Sequence, residues 1–224
     1  MRAVCAAVFL ALAGPAPSAL AFELGPLRHE LAISASGATG RLTMRNPRSA
    51  PLPFETRVMR RYVSESGEIR LEPADADFLV FPPQAIVPPR GSQAIQFRYL
   101  GPPLEEGRAY VLYVRQLPVT NTGKTGVSFA FEIGASIYLY PPGASANLTL
   151  EAVRPLPSGG AEVWVRNSGT RHSVLLRGLR EVPGAEASLA AYGPEALDRP
   201  STPIVPPHAL RRFVVGAPDA RQGR

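Results

Sequence analysis

Hydrophobic and polar residues alternate in short runs along this chain, and residues that favour turns separate the runs. A period of two is typical of half-buried β-strands, and almost no segment keeps the period of an amphipathic helix. In the first half, the alternation predicts strands at residues 41–46, 53–62, 78–81, 93–99, 109–116 and 127–140. This set is sufficient for one Greek-key sandwich.

A second series of short strands follows a break rich in proline and glycine at Pro141-Pro142-Gly143. Its predicted strands are residues 148–153, 161–166, 173–179, 186–190 and 211–215. With 224 residues the chain can form two domains of immunoglobulin size. We therefore expect an all-β protein with two immunoglobulin-like β-sandwich domains, at 22–142 and 148–218, joined by a linker at 143–147. Residues 219–224 are expected to form a disordered tail.

The N-terminus has the features of a signal peptide. Arg2 precedes an apolar run at residues 3–13, and Ala19-Leu20-Ala21 suits cleavage before Phe22. The apolar run is too short for a permanent membrane span, although a buried N-terminal helix or an uncleaved anchor is the alternative. Residues 1–21 are therefore predicted to direct export. They contain the single cysteine, Cys5, so a cleaved chain would carry no thiol.

The charge pattern argues against nucleic-acid binding. The formal net charge is +6, and cleavage after residue 21 would leave +5. Apart from Lys124, the basic residues of the cleaved chain are arginines, scattered singly except for the pairs Arg60-Arg61 and Arg211-Arg212. A nucleic-acid surface requires clustered positive charge, which is missing. Recognition of a carboxylate is a better use for one of these arginines.

A search for catalytic or metal-binding motifs finds none. The three histidines, His29, His172 and His208, are far apart in the sequence and lack ligand partners at suitable spacing. Neither a nucleophile elbow nor a phosphate-binding glycine loop is present. We expect no cofactor, no metal and no enzymatic activity. A carbohydrate-binding or enzymatic sandwich remains an alternative without an aromatic platform or an acid/base pair to support it.

The last strand of the first domain has one fully apolar face. This face carries Val127, Phe129, Phe131, Ile133, Ala135, Ile137 and Leu139. One interpretation is that the face covers the core of its own sandwich. The other is that its first part is an edge strand whose side chains enter the groove of another protein.

Four motifs occur in an order that resembles the periplasmic pilus assembly chaperone family. They are Phe78-Leu79-Val80-Phe81-Pro82-Pro83-Gln84, then Pro89-Arg90-Gly91-Ser92-Gln93, then Arg115-Gln116-Leu117-Pro118, then the alternating strand from Val127. The resemblance implies two immunoglobulin-like sandwiches in an L-shaped arrangement and a periplasmic location. It also implies donation of a strand to pilus or fimbrial subunits through Val127, Phe129, Phe131 and Ile133, followed by delivery to an outer-membrane usher.

The family holds the C-terminal carboxylate of the subunit with an arginine on the first strand and a lysine on the donated strand. Arg28 matches the first position, although it could be an ordinary solvent-facing arginine. No lysine matches the second, where Ser136 or a neighbour stands. Either another arginine such as Arg115 replaces it, or this chain anchors the carboxylate differently, or it is not a standard pilus chaperone. The resemblance is looser in the second domain, where Trp164 is expected in the core.

Two further possibilities follow from the resemblance. The same fold could belong to a secreted structural protein or adhesin of a pilus system, with the apolar strand paired inside its own sheet. The edge strand could also mediate self-association of the free protein. Binding to a subunit distinguishes the chaperone from the structural protein.

Overall fold

The computed structural model describes residues 22–34, 37–118, 130–157, 159–192 and 202–216. The strands of the first domain are β1 (Glu23–Gly25), β2 (Arg28–Ala32), β3 (Thr39–Arg45), β4 (Leu52–Val63), β5 (Ile69–Pro73), β6 (Phe78–Phe81), β7 (Gln84–Val87), β8 (Ser92–Tyr99), β9 (Arg108–Gln116) and β10 (Glu132–Tyr140). Those of the second are β11 (Leu148–Pro155), β12 (Ala161–Asn167), β13 (Ser173–Val174), β14 (Ile204–Val205) and β15 (Leu210–Val215). The predicted all-β class is confirmed.

The first domain is a sandwich of two sheets. One sheet has the order β1-β3-β8-β6, and the other has the order β2-β10-β9-β4-β5 with β7 also paired to β4. Alternate side chains of each sheet face inward, as expected when only one face of a strand is buried. The largest fully buried side chains include Leu42, Met44, Leu52, Phe54, Ile95, Tyr110, Leu112, Ile137 and Leu139. The core extends under β10, the strand with the apolar face.

The second domain is smaller and has its own core. Strands β11, β12 and β15 form an antiparallel sheet, and β13 pairs with β14. The buried side chains come from the sheet and from two short helices, α1 (Leu175–Leu179) and α2 (Ala185–Leu189). Turns of 3₁₀ helix lie at Asp75–Asp77 in the first domain and at Ala190–Tyr192 in the second. No helix in the described ranges is long and apolar enough to cross a membrane.

The two helices correct the sequence prediction, which assigned strands to 173–179 and 186–190. Only Ser173–Val174 of the first segment is a strand, because Leu175 and Leu179 are four residues apart and both are buried on one helical face. In the second helix, which begins one residue before the predicted strand, Ala185 and Leu189 have the same spacing and are also buried. In segments this short, the periods of a helix and a strand are difficult to distinguish.

Trp164 is also not where the sequence placed it. Val163 and Val165 face the core, so the intervening Trp164 lies on the opposite face of β12 and is half-buried. The guanidinium groups of Arg154 and Arg212 lie 5.5 and 5.9 Å from its ring. This tryptophan therefore supports an arginine-covered surface of the sheet rather than the core.

The same asparagine-centred corner occurs once in each domain. Asn46 Nδ2 donates to three carbonyls, one four residues ahead and two in a distant Val-Pro pair. Its Oδ1 accepts a hydrogen bond from the backbone amide of residue 48. Asn167 makes the same set of bonds, with its Oδ1 accepting from the amide of residue 169. The carbonyls are those of Ala50, Val87 and Pro88 in the first domain and of Arg171, Val205 and Pro206 in the second. Both asparagines are fully buried. The domains therefore share a local structure as well as an architecture.

Arg211 joins the domains. Its side chain is only 2% exposed, and it donates to the carbonyls of Thr202 and Ile204 in its own domain. Its Nη1 donates to the carbonyls of Ser64 and Glu65, in the β4–β5 turn of the first domain, at 2.8 and 2.7 Å. The positive charge is thus satisfied by four main-chain oxygens from two domains.

Candidate functional site

Strand β10 is paired along its whole length on one edge but only along its second half on the other. Strand β9 pairs with β10 in antiparallel register from Glu132 to Leu139. On the opposite edge, β2 runs parallel to β10 and pairs with residues 136–140. Within the described part of the chain, residues 132–135 have no strand on that edge, so this half of β10 is open.

The backbone groups of Glu132 and Gly134 point to the open edge. The carbonyl of Phe131 accepts from Gln116 on β9, whereas the amide of Ser136 donates to Leu27 on the opposite side. Backbone groups alternate in direction along a strand, so residues 132 and 134 share the direction of residue 136. Their amides and carbonyls are available to another strand.

The predicted groove-binding residues are only partly within the described ranges. Val127 and Phe129 lie outside them. Phe131 and Ile133 are half-buried and pack against the core of the first domain, while Ala135, Ile137 and Leu139 are fully buried in it. The apolar face is therefore covered increasingly toward the C-terminal end of β10. In the first half of β10, it is the backbone edge that is open to another strand.

Arg28 lies where the open edge ends. It is the first residue of β2 and is opposite Ser136 of β10. A further strand added parallel to β10 would occupy the same edge ahead of β2, with its C-terminal end directed at Arg28. The Arg28 side chain is on the face that carries Tyr138, and its Cζ is 4.8 Å from the centre of that ring.

A second arginine reaches the same place from two strands away. Arg61 on β4 is opposite Ala109 on β9, which is in turn opposite Tyr138 on β10. Because Ala109 has only a methyl group, the Arg61 side chain crosses β9 and donates to the Tyr138 hydroxyl and, at 3.3 Å, to Ser136 Oγ. Arg61 thus brings a positive charge next to Ser136 and Tyr138, on a strand that contains no lysine.

Arg115, the replacement expected from the sequence, is at the other end of the strand pair. It is opposite Glu132, four residues before Ser136, a separation of about 13 Å along a strand. Its side chain is half exposed and lies 3.6 Å from a carboxylate oxygen of Glu55. The structure therefore places Arg28 and Arg61, but not Arg115, against the ring of Tyr138.

The cleft between the domains contains a charged network around Glu30. The Glu30 carboxylate accepts from Arg28 at 2.7 Å and from Arg171 of the second domain at 2.5 Å. Partial burial opposes ionisation, but the two arginines bind the charged form and hold the pKa of Glu30 below its ordinary value. Arg28, Glu30, Arg171 and His172 line a cavity of about 320 Å³.

His172 is enclosed at the base of this cleft. Its ring stacks on Tyr138, and both ring nitrogens are buried without a hydrogen-bond partner. Burial lowers the pKa of His172 to about 4, against an opposing influence from Glu30, whose carboxylate is 4.0 Å away. The imidazole is therefore neutral at physiological pH. No cluster of metal-ligating residues exists among the described residues.

Four members of this site, Glu30, Arg61, Arg171 and His172, were not identified from the sequence as site residues. Arg61 was noted only as part of the pair Arg60-Arg61. Alternation places neighbouring residues of a strand on opposite faces, and this separates the two arginines. The reach of Arg61 depends on the register of three strands, which the local sequence does not specify.

Comparison with known proteins gives structural matches only. No protein-family model and no curated protein sequence matches the chain. The CsuC–CsuE chaperone–tip adhesion subunit pre-assembly complex of the archaic chaperone–usher Csu pili of Acinetobacter baumannii gives a TM-score of 0.61 at 14% identity, covering 90% of each chain.

Two further structures give the same result. The Salmonella enterica SafA pilin in complex with the SafB chaperone matches with a TM-score of 0.59 at 17% identity, over 91% of this chain and 86% of the other. The Pseudomonas aeruginosa CupB2 chaperone matches with a TM-score of 0.51 at 14% identity, over 85% and 86%. At identities this low the structural matches show the fold alone, and the chain accordingly has the two-domain β-sandwich fold found among chaperones of fimbrial assembly.

Proposed function

We propose that this chain is a periplasmic chaperone that binds pilus or fimbrial subunits by pairing the open edge of β10 with them. The observation that carries the proposal is the position of Arg28 at the end of that edge. An added parallel strand gains backbone hydrogen bonds from residues 132 and 134 and meets a positive charge at its C-terminus. Both features suit a polypeptide that ends in a strand.

Such a partner needs protection until it is assembled. A sandwich that lacks one strand exposes an apolar groove and unpaired backbone groups, and both promote aggregation. Strand donation pairs the backbone and places alternate side chains of the donated strand in the groove. We assign this role to Val127, Phe129, Phe131 and Ile133, as the family resemblance implies.

We further propose that Arg28 and Arg61 bind the terminal carboxylate of the subunit. Their guanidinium groups lie 4.8 and 5.1 Å from the centre of the same Tyr138 ring. The described residues place no carboxylate against Arg61, whose hydrogen bonds go to two hydroxyl groups. Guanidinium groups beside the same ring supply several N–H donors to a carboxylate, and binding it there would fix the register of the added strand.

The remaining parts of the proposal follow from the N-terminal sequence and from what the family resemblance implies. The chaperone is non-enzymatic, needs no cofactor, and delivers its subunits to an outer-membrane usher after export through residues 1–21. The open edge also permits pairing with a second copy of the chain in the absence of a subunit. Sedimentation of the isolated protein over a range of concentrations measures this self-association.

Replacing Glu132 with proline tests the role of the edge. This change removes an amide that points away from β9, so it leaves the pairing of β9 with β10 intact, and proline is tolerated at strand edges. Glu132→Gln is the matched control because it keeps the amide and removes the same charge. The measurement is co-purification of a coexpressed fimbrial subunit from the periplasm.

We expect Glu132→Pro to lose the subunit while its own thermal unfolding stays close to that of Glu132→Gln. Equal recovery of the subunit with both variants would contradict strand pairing at this edge. Failure of the unaltered chain to retain any fimbrial subunit in soluble form would favour the secreted structural protein.

A further inference from the structure

The chain already holds a carboxylate on Arg28. Glu30 Oε1 accepts from Arg28 Nη2 at 2.7 Å and from Nε at 3.0 Å, and Glu30 Oε2 accepts from Arg171 Nη2 at 2.5 Å. The two oxygens of one carboxylate are therefore bound by arginines of different domains. A terminal carboxylate that approaches Arg28 meets a guanidinium whose Nε and Nη2 already donate to Glu30.

Position along β2 explains this arrangement. Residues 28 and 30 are two apart on a strand, so their side chains lie on the same face, the face that carries Ser136 and Tyr138 of β10. The side chains of Arg28 and Glu30 are 41% and 26% exposed. An ion pair with this much solvent contact contributes little net stability, so another carboxylate can replace it at small cost.

Release of Arg28 would not leave Glu30 without a partner. Arg171 remains on its second oxygen, and the guanidinium of Arg171 is itself positioned over the ring of Tyr140, 4.0 Å from its centre. The exchange replaces one arginine–carboxylate pair with another and keeps the contact between the domains. The free-energy change of this exchange is therefore small, as it must be if a terminal carboxylate is to displace Glu30 from Arg28.

We propose that Glu30 is an internal competitor for the carboxylate anchor, occupying Arg28 in the free chain and keeping only Arg171 when a terminal carboxylate binds. This inference rests on the carboxylate anchoring proposed above. Glu30 would then act on selectivity, because only a strand that ends in register with Arg28 can displace it. Strands that bind elsewhere along the edge would gain nothing from the anchor.

The test uses the full chain and one synthetic strand peptide of alternating apolar and polar residues, made with a C-terminal carboxylate or with a carboxamide. Affinities are measured by calorimetry at neutral pH. We expect Glu30→Gln to bind the acid peptide roughly fivefold more tightly than the unaltered chain, the size of a half-exposed ion pair. The amide peptide should bind both proteins equally.

Arg171→Gln provides a second variant with an effect of opposite sign. It removes the alternative partner of Glu30, so the carboxylate should bind Arg28 more strongly and the affinity for the acid peptide should fall by a similar factor. Thermal unfolding and the affinity for the amide peptide report whether each variant retains its fold and its edge. A general loss of structure would lower both affinities, whereas competition changes only one.

The outcomes separate this inference from the proposed function. If Glu30→Gln leaves the affinity for the acid peptide unchanged or lowers it while the preference for acid over amide persists, the competitor role is wrong and anchoring stands. If no variant distinguishes acid from amide, both the anchor and its competitor are wrong. If neither peptide binds the unaltered chain, strand donation itself fails.

Discussion

The imidazole of His172 lies on the phenol ring of Tyr138, with ring centres 3.9 Å apart and planes 25° from parallel. One ring comes from the second domain and the other from β10, so the stack joins the candidate binding strand to the neighbouring domain. The His172 side chain is 4% exposed and is surrounded by Arg28, Arg61, Arg171 and Glu30. A protonated ring in this position would face three positive charges.

Acidification should therefore destabilise the protein through His172. Its pKa is near 4 in the folded chain and 6.5 in the unfolded chain, so the unfolded state binds more protons between these values. Stability contributed by the neutral ring is complete above pH 6.5 and declines as the pH falls toward 4, by about 3 kcal/mol in total. Denaturant unfolding across this range measures the decline.

His172→Phe should remove this component because phenylalanine keeps the stack and cannot be protonated. The matched control is His208→Asn, since His208 is exposed and asparagine tolerates its positive φ of 51°. A pH dependence that is the same in His172→Phe as in the unaltered chain would show that other groups cause the acid sensitivity. The depressed pKa of Glu30 contributes in the same direction at lower pH.

Arg211 should determine how firmly the domains are joined. Arg211→Lys keeps the charge but cannot supply four hydrogen bonds in the directions that the guanidinium uses, and it leaves buried carbonyls unpaired. We expect a loss of roughly 2–4 kcal/mol in the free energy of unfolding. Small-angle scattering should show a broader distribution of domain arrangements.

Arg212→Lys is the neighbouring control for this change. Arg212 bonds to Glu162 in a partly exposed ion pair, so its replacement should cost less than about 1 kcal/mol. Equal losses for the two lysine variants would contradict a special role for Arg211. Gly67 adds a constraint, since a Cβ at this position would lie 2.9 Å from Arg211 Nη2.

The repeated corners make a symmetrical prediction for the two domains. Asn46→Ala and Asn167→Ala each leave three carbonyls without their side-chain donor at a fully buried site, so each should cost roughly 2–4 kcal/mol. Asn147→Ala removes an exposed bond to Ser168 and should have a small effect. Urea unfolding monitored by fluorescence of Trp164 reports on the second domain specifically.

The sequence specifies the long strands of this fold better than its short elements. The predicted ranges 53–62 and 93–99 agree with β4 and β8 within one residue, and apolar and polar residues alternate regularly along β8. Strands β1, β2, β5, β7 and β14 lie outside the predicted ranges, since each has five residues or fewer and depends on its neighbours for pairing. Five-residue helices were assigned as strands for the same reason.

The repeat was also only half visible in the sequence. The segments Met44-Arg45-Asn46 and Val165-Arg166-Asn167 are similar in sequence, but each asparagine completes its hydrogen bonds with a distant Val-Pro-Pro segment. A local sequence pattern does not reveal contacts between residues about forty positions apart. Arg90 and His208, the residues that follow the two Val-Pro-Pro segments, both have a positive φ, 57° and 51°. This is a further similarity between the two domains.

The candidate site illustrates the same limit. Arg28 was identified because a family motif marks it, whereas Arg61 becomes visible only when Ala109 is known to separate it from Tyr138.

A test of this geometry compares Arg61→Met with Arg60→Met. Arg60 is adjacent in sequence, lies on the opposite face of β4, and stacks on Tyr62 with its Cζ 4.7 Å from the ring centre.

Arg61→Met should reduce the preference for an acid peptide over its amide by roughly tenfold, the effect of losing one charge-assisted hydrogen bond to a carboxylate. Arg60→Met should leave the preference unchanged, since its charge is directed away from the cleft. Thermal unfolding should shift little in either variant, because Met fills the space of the aliphatic stem. An acid preference that survives in Arg61→Met and disappears only in Arg28→Gln would show that a single arginine forms the anchor. Arg61 would then cross β9 only to bind the hydroxyl groups of Ser136 and Tyr138.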